Sequence, residues 1–393
     1  MRREGVSIRP QEKSAEQQEA AGPVNIGGVR ERAMKSENGK KWVLVFLAVL
    51  MTGLCMAAGT VIWIDPLFHY HPPMTDRFFY VLDHERSIND GITRHFRYTG
   101  MITGTSMTEN FKTSEAEALF GESFIKVPSF NSGYREINEI TERALRRNSD
   151  LKLVIRGVDL DFVLVDKDSL RYGESFFPTY LYDDDPLNDI RYVLNRDILF
   201  SWTCGMLSDS GRAGYTPGIT SFDEYAIWYQ LHTFGREAVC PEGLNNPVPG
   251  QAVHLTEEER RSVLASCRQN LTDLADQYAD VDFYFFIPPY SLAWWAEKVE
   301  DGTVYRLTEA EEILMEEILR HPNIRLFSWN DRTEITSNLE EYKDRTHYGP
   351  EINSLMLAWM RDGTGLIDRE HCEAYLEREM KLYLTFDYAS MME

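Results

Sequence analysis

The chain has 393 residues, 43% of them hydrophobic and 12% aromatic, enough for one large folded core or a core with a sizeable insertion. A formal net charge of −22 argues against a nucleic-acid partner, because no basic surface is left to neutralise a row of phosphates. The same charge suits a body that stays soluble outside the cytoplasm.

Residues 1–33 are polar and poor in aromatics, a composition expected to stay disordered. Met34 opens an ordinary short segment, "MKSENGKKW", and is a second expected start of translation, which intact mass would reveal. The strongest local signal follows. Trp42 to Ile64 is 23 residues without a charge, enough at 1.5 Å per residue to cross a bilayer core of about 30 Å. Lys40 and Lys41 flank it on one side, with Arg30, Arg32 and Lys35 upstream, and Asp65 on the other. Basic residues stay on the cytoplasmic side, so residues 1–41 are expected inside, 42–64 as an anchor and 65–393 outside, in a single-pass cell-membrane protein. The competing reading is a cleaved signal peptide, for which the run is long.

Beyond the Pro-rich lead-out "DPLFHYHPP", strands and helices alternate. "YTGMIT" reads as a strand ending in Gly104-Thr105-Ser106, with a helix expected to follow, and "SFIKVPS" as a second ending in Asn131-Ser132-Gly133. "YREINEITERALRRN" is a helix with Ile137, Ile140, Ala144 and Leu145 on one face, and "LKLVIRGVDL" a buried parallel-type strand. From Thr256 the order resumes with a helix boxed by Thr256 and Glu259, the strand "VDFYFFIPP" and a helix boxed by Thr308 and Glu311. The strand "IRLFSW" and a last helix stopped by Gly363 complete the order. This is an α/β pattern with a parallel sheet and helices on both faces. The stretch at about 162–255 is aromatic, Asp-rich and irregular, and is expected to be an insertion covering one sheet edge.

Outside the apolar segment, which holds Cys55, lie Cys204, Cys240, Cys267 and Cys372, which allow three disulfide pairings or none. No Cys/His spacing suggests zinc, and no metal or cofactor is expected.

Ligands of open α/β sheets bind beyond the carboxyl ends of the strands. There fall the Gly104 and Gly133 turns, Gly157-Val158-Asp159, and Pro288-Pro289-Tyr290; "YKDRTHYG" places Asp344 and His347 three residues apart before the last helix. Read singly, Ser106 is better explained as a helix N-cap, Asp344 as a surface loop residue and His347 as a satisfied helix-start histidine. Together, "GTSMTENF", "NSGYREI", "FIPPY" and "YKDRTHYG" resemble the SGNH, or GDSL-like, hydrolase and acyltransferase superfamily over roughly residues 60–362. The match is to its membrane-anchored bacterial branch, whose relatives O-acylate surface polysaccharides or serve D-alanylation of teichoic acids.

The resemblance implies a flavodoxin-like parallel sheet, with Ser106 as nucleophile, His347 as base and Asp344 orienting it. It further implies an oxyanion hole of Ser106 and Gly133 backbone N–H groups, with Asn131 a further donor, and a cleft lined by Gly157, Asp159, Pro289 and Tyr290. One departure stands out: where the superfamily often carries an Asn after the third strand, this chain has "RGVDL", and Arg156 or Asn131 would have to substitute. The expected function is a serine esterase or O-acyltransferase acting on acyl groups of a cell-surface glycan or cell-wall polymer. The alternative is a non-catalytic binding or scaffold subunit of an envelope assembly.

Overall fold

The computed structural model describes residues 26–173 and 176–393, with side chains from residue 39 onward. Its described residues fall into two units, one ending at Met56 and the other Ala57–Glu393. Helix α1 runs Ile26–Ile64, and its part Gly39–Ile64 is long and apolar enough to cross a membrane, with a mean hydropathy of 2.3. The helix thus starts upstream of Trp42, taking in residues 26–33, which composition alone leaves disordered, and the short segment from Met34; Arg30, Glu31, Arg32, Ala33 and Met34 are all good helix formers. The rest of the expected disordered tail, residues 1–25, lies outside the described residues.

In the body, six strands make one sheet: β1 Gly100–Gly104, β2 Phe124–Pro128, β3 Leu153–Gly157, β4 Asp282–Ile287, β5 Ile324–Ser328 and β6 Leu366–Ile367. Their spatial order is β2-β1-β3-β4-β5-β6. The first five are parallel; the short β6 pairs antiparallel with β5 through Leu326↔Ile367. Every residue of β1, β2 and β3 is buried, as parallel strands covered on both faces must be. Pro288 and Pro289 follow β4 directly, since neither can donate to the ladder.

Helix α2 (Glu85–His95) packs on α4 (Tyr134–Arg147), which meets the helical turn Arg268–Thr272 that continues α5 (Glu257–Cys267); α5 packs on α7 (Val304–Ile318) and α7 on α9 (Cys372–Thr385), with α6 (Leu292–Glu300) against α9. Right-handed crossovers put α3 (Thr113–Phe120) and α8 (Pro350–Asp362), which pack on each other, over the opposite face. The face of α4 read from the sequence is buried, and α8 stops at Gly363 with φ +81. Among the described residues between β3 and α5 the chain holds short helical turns, one longer helical stretch over Ile198–Ser210, and Gly218–Ile219, which pairs with Phe79–Tyr80. All five cysteines are free thiols, with Cys240, Cys267 and Cys372 buried.

The Thr256–Glu259 capping box is present, with both reciprocal hydrogen bonds. The one expected at Thr308 and Glu311 is not. Helix α7 begins a turn earlier, at Val304, so Thr308 bonds back to the Val304 carbonyl and Glu311 points into the core. There Glu311 and Glu379 of α9 are both fully buried, and Tyr375 donates to Glu379 Oε1 at 2.7 Å. Burial pushes the Glu379 carboxyl up to about 8, and burial with the Glu379 charge raises Glu311 well above its ordinary value.

A carboxyl that stays neutral when folded and ionises when unfolded stabilises most fully at or below its unfolded pKa of about 4.3 and loses that contribution as pH rises. Between pH 5 and 8 the melting temperature should therefore fall, and Glu379→Gln should flatten the slope by at most about 1.4 kcal/mol per pH unit. Thermal melts of both proteins across this range check it; parallel slopes would show Glu379 ionised in the folded state.

Candidate active site

The strand order reverses at β1, which has β2 on one side and β3 on the other. Such a switch point leaves a crevice at the carboxyl end of the sheet. Ser106 stands there. Gly104 has φ +151, which a side chain rarely adopts, and a Cβ at that residue would come within 2.6 Å of Thr108 Cγ2. The chain then makes a single 3₁₀ turn, Ser106–Thr108, and the next helix starts only at Thr113. Thr105, not Ser106, caps this turn: its hydroxyl accepts from Met107 N–H. The Ser106 hydroxyl is thereby left free for a different partner.

That partner is His347. Ser106 Oγ lies 2.8 Å from His347 Nε2, across 241 residues of sequence. On the other side of the ring, His347 Nδ1 is 2.9 Å from each oxygen of Asp344. This network assigns the proton to Nδ1 and leaves Nε2 to accept from the serine hydroxyl. Asp344 and His347 share one closed turn. Tyr342 bridges to Tyr348, Lys343 N–H donates to the His347 carbonyl at 3.0 Å, and Asp344 Oδ1 accepts the Thr346 and His347 N–H groups. Burial acts to push the Asp344 carboxyl up, but the hydrogen bond and charge of His347 and these backbone donors outweigh it and hold the group well below the usual carboxylate range. Lys343 Nζ adds an ion pair to Asp344 Oδ2 at 3.0 Å.

Three hydrogen bonds anchor the serine turn, one of them from this loop. Tyr348, next to His347, donates to the Met107 carbonyl at 3.3 Å, Asn353 of α8 donates to the same oxygen, and Trp228 Nε1 donates to the Ser106 carbonyl at 3.0 Å. Trp228 also meets the His347 ring edge-to-face at 5.5 Å, with Phe234 stacked behind it and Lys343 Nζ over its ring. From β2, the buried Lys126, pushed down to about 7 by burial, donates to the Glu109 and Phe111 carbonyls just beyond the turn. Trp228→Ala should slow any Ser106-dependent reaction by about tenfold, the equivalent of one hydrogen bond of about 1.4 kcal/mol. Single-turnover rates, with a circular-dichroism control for folding, check this.

Asp159, Tyr290 and Pro289 stand behind the nucleophile rather than facing the cleft. The buried Asp159 accepts from Thr105 Oγ1 at 2.9 Å and from Tyr290 OH at 3.0 Å, and burial pushes its carboxyl up to about 6. It holds the residue before the serine. Pro289 offers its carbonyl to Tyr342 at 2.7 Å, and Gly157, at the end of β3, leaves just enough room for Thr108.

The expected oxyanion donors are less completely assembled. Ser106 N–H has no acceptor among the described residues, whereas Gly133 N–H donates to Glu136 Oε2 at 2.8 Å. Asn131, at φ +47, gives its side-chain amide to the Tyr172 hydroxyl. Arg156 is fully buried beneath α4, donating to the Tyr134 carbonyl, so it is no substitute for the absent Asn. Among the described residues no cluster of three or more His, Cys, Asp or Glu side chains could hold a metal.

The residues from 162 to 255 supply Trp228 to the site, a residue that its aromatic setting singles out in the sequence without saying where it points. Of the other aromatics in this stretch, Phe177 and Tyr182 are core and Phe176 is 66% exposed. The arrangement is that of a serine with its general base and orienting carboxylate, at the switch point of a parallel α/β sheet. No protein-family model, no curated protein and no solved structure matches this chain.

Proposed function

We propose that the protein is a membrane-anchored serine esterase or O-acyltransferase of SGNH type, acting outside the cytoplasm on acyl groups of a cell-surface glycan or cell-wall polymer. The observation that carries this reading is the 2.8 Å contact of Ser106 Oγ with an imidazole whose other nitrogen is held by Asp344. The strand order β2-β1-β3-β4-β5, the flavodoxin-like one, supports the family assignment. The lysines at the start of the apolar segment support an N-terminus inside and a body outside.

Ser106 attacks the acyl carbonyl as His347 Nε2 takes its proton, and Asp344 stabilises the imidazolium. The negative charge on the carbonyl oxygen meets Ser106 N–H. His347 returns the proton to the departing alcohol oxygen as the C–O bond breaks, leaving an acyl-serine. A sugar hydroxyl, or water, then gives its proton to His347 and attacks the acyl carbon, and Ser106 Oγ leaves reprotonated. Residues 162–255, through Trp228 and Phe234 beside the histidine, act as an insertion that limits water and favours a sugar acceptor.

A second reading, an SGNH-like scaffold without turnover, is favoured by one observation: Glu136 already holds Gly133 N–H, leaving a single oxyanion donor. A fluorophosphonate separates the two. Covalent labelling of one serine in the full-length protein is expected from the enzyme; an unlabelled protein would establish the scaffold.

A further inference from the structure

The residues after α1 lock its last two turns into the body. Ala57 onward belongs to the body unit, and Val61 and Ile64 are fully buried there. The Asp65 carboxylate accepts the N–H groups of His69, Tyr70 and His71 and the Tyr192 hydroxyl. Tyr80 OH donates to the Ile64 carbonyl at 2.7 Å, and His71 Nε2 lies 3.1 Å from the Ile62 carbonyl, covering the helix end. Whatever adjoins Pro66 therefore stands at a fixed place beside the end of the apolar helix.

A cavity of about 330 Å³ opens there. Pro66, Phe79, Val81, Trp202 and Met206 give it apolar walls. Phe79 and Val81 stay exposed, and Phe200, in the same helical stretch as Trp202, is 65% exposed. Such an apolar rim, continuous with the end of a spanning helix, suits lipid better than water. Asp83, His84, Asp209 and Tyr215 supply polar lining, with the His84 ring stacked on Trp202 at 4.8 Å and its Nε2 3.9 Å from Asp83 Oδ2. No Lys or Arg lines the cavity; Arg212 pairs with Asp209 from outside at 2.9 Å, an exposed ion pair of little strength. Two carboxylates and an aromatic face, with no Lys or Arg in the lining, suit an ammonium group better than a phosphate-only headgroup.

We propose that this cavity binds a phospholipid with an ammonium headgroup, its glycerol and upper acyl chain against Phe79, Val81 and Met206 and its ammonium between Asp83, Asp209 and Trp202. The proposal rests on the reading of α1 as a membrane anchor. A lipid held there would fix the orientation of the body against the bilayer, and with it the direction in which the Ser106 cleft opens.

The test uses the full-length protein in nanodiscs containing phospholipids with a diazirine on the acyl chain, bearing either an ethanolamine or a glycerol headgroup. Crosslinked peptides are mapped by mass spectrometry. The expected result is labelling of residues 79–84 and 200–215 as well as 42–64, with the ethanolamine lipid favoured at the first two by about 3- to 10-fold. Trp202→Ala combined with Asp83→Asn should remove that preference and leave the labelling of 42–64 unchanged. Labelling confined to 42–64 with both lipids would overturn the cavity as a lipid site, and equal labelling by both would overturn the ammonium assignment. Absence of label from 42–64 as well would overturn the anchor reading on which the proposal stands.

Discussion

Ser106→Ala is expected to abolish acyl transfer and fluorophosphonate labelling while leaving the fold intact. The loss should be at least about 10³-fold in kcat/KM, because the variant has no oxygen for His347 to deprotonate. His347→Ala should cost a similar factor, and the double variant little more, since the two side chains act as one unit across the 2.8 Å contact. Stability should barely change: the serine hydroxyl has no structural partner besides the imidazole, and Thr105 caps the turn. Release of acetate from an acetylated oligosaccharide, paired with thermal melts, measures both quantities. A Ser106→Ala protein that still turned over an acyl ester would show that the nucleophile lies elsewhere.

Asp344→Asn is expected to lower the rate by about 10³- to 10⁴-fold without removing the nucleophile, as the amide no longer compels the proton onto Nδ1. Two consequences separate this from simple loss of structure. The variant should still accept a fluorophosphonate, slowly. Its stability should also respond differently to acid. A carboxyl depressed in the folded state contributes its stabilisation above the unfolded pKa of about 3.9, and loses it as pH falls below that value. Wild type should therefore lose stability relative to Asp344→Asn as pH falls from 5 to 3. Equal acid sensitivity would mean that the 2.9 Å contacts with His347 do not persist in solution.

The parts of the fold legible in the sequence were those set by neighbours. β1, β2 and β3 read clearly because strands buried on both faces are mostly apolar runs that end in Gly or Pro, here interrupted only by Thr103, Lys126 and Arg156. The face of α4 and the stop at Gly363 follow from helical period and from the one residue type that takes positive φ without strain. Thr308 and Glu311 misled for the same reason. A box motif says that a helix can start there, but an earlier start buries Val304 and Leu307 in the core, so tertiary packing moved it upstream. Strand β6 and helix α9 carry no punctuation that distinguishes them from a tail, and only their packing on β5 and α7 defines them.

By itself, then, the sequence determined an apolar helix able to span a bilayer, an alternating α/β body, and the residue types able to form a serine–histidine–aspartate set. The tertiary structure decided which of them meet. It brought Ser106 to His347, turned Trp228 onto both, set Asp159 and Tyr290 behind the serine turn, and committed Gly133 N–H to Glu136. The reason is one of range: period and capping are fixed within a turn or two of chain, whereas these contacts depend on strand order and on loops closing over as many as 241 residues.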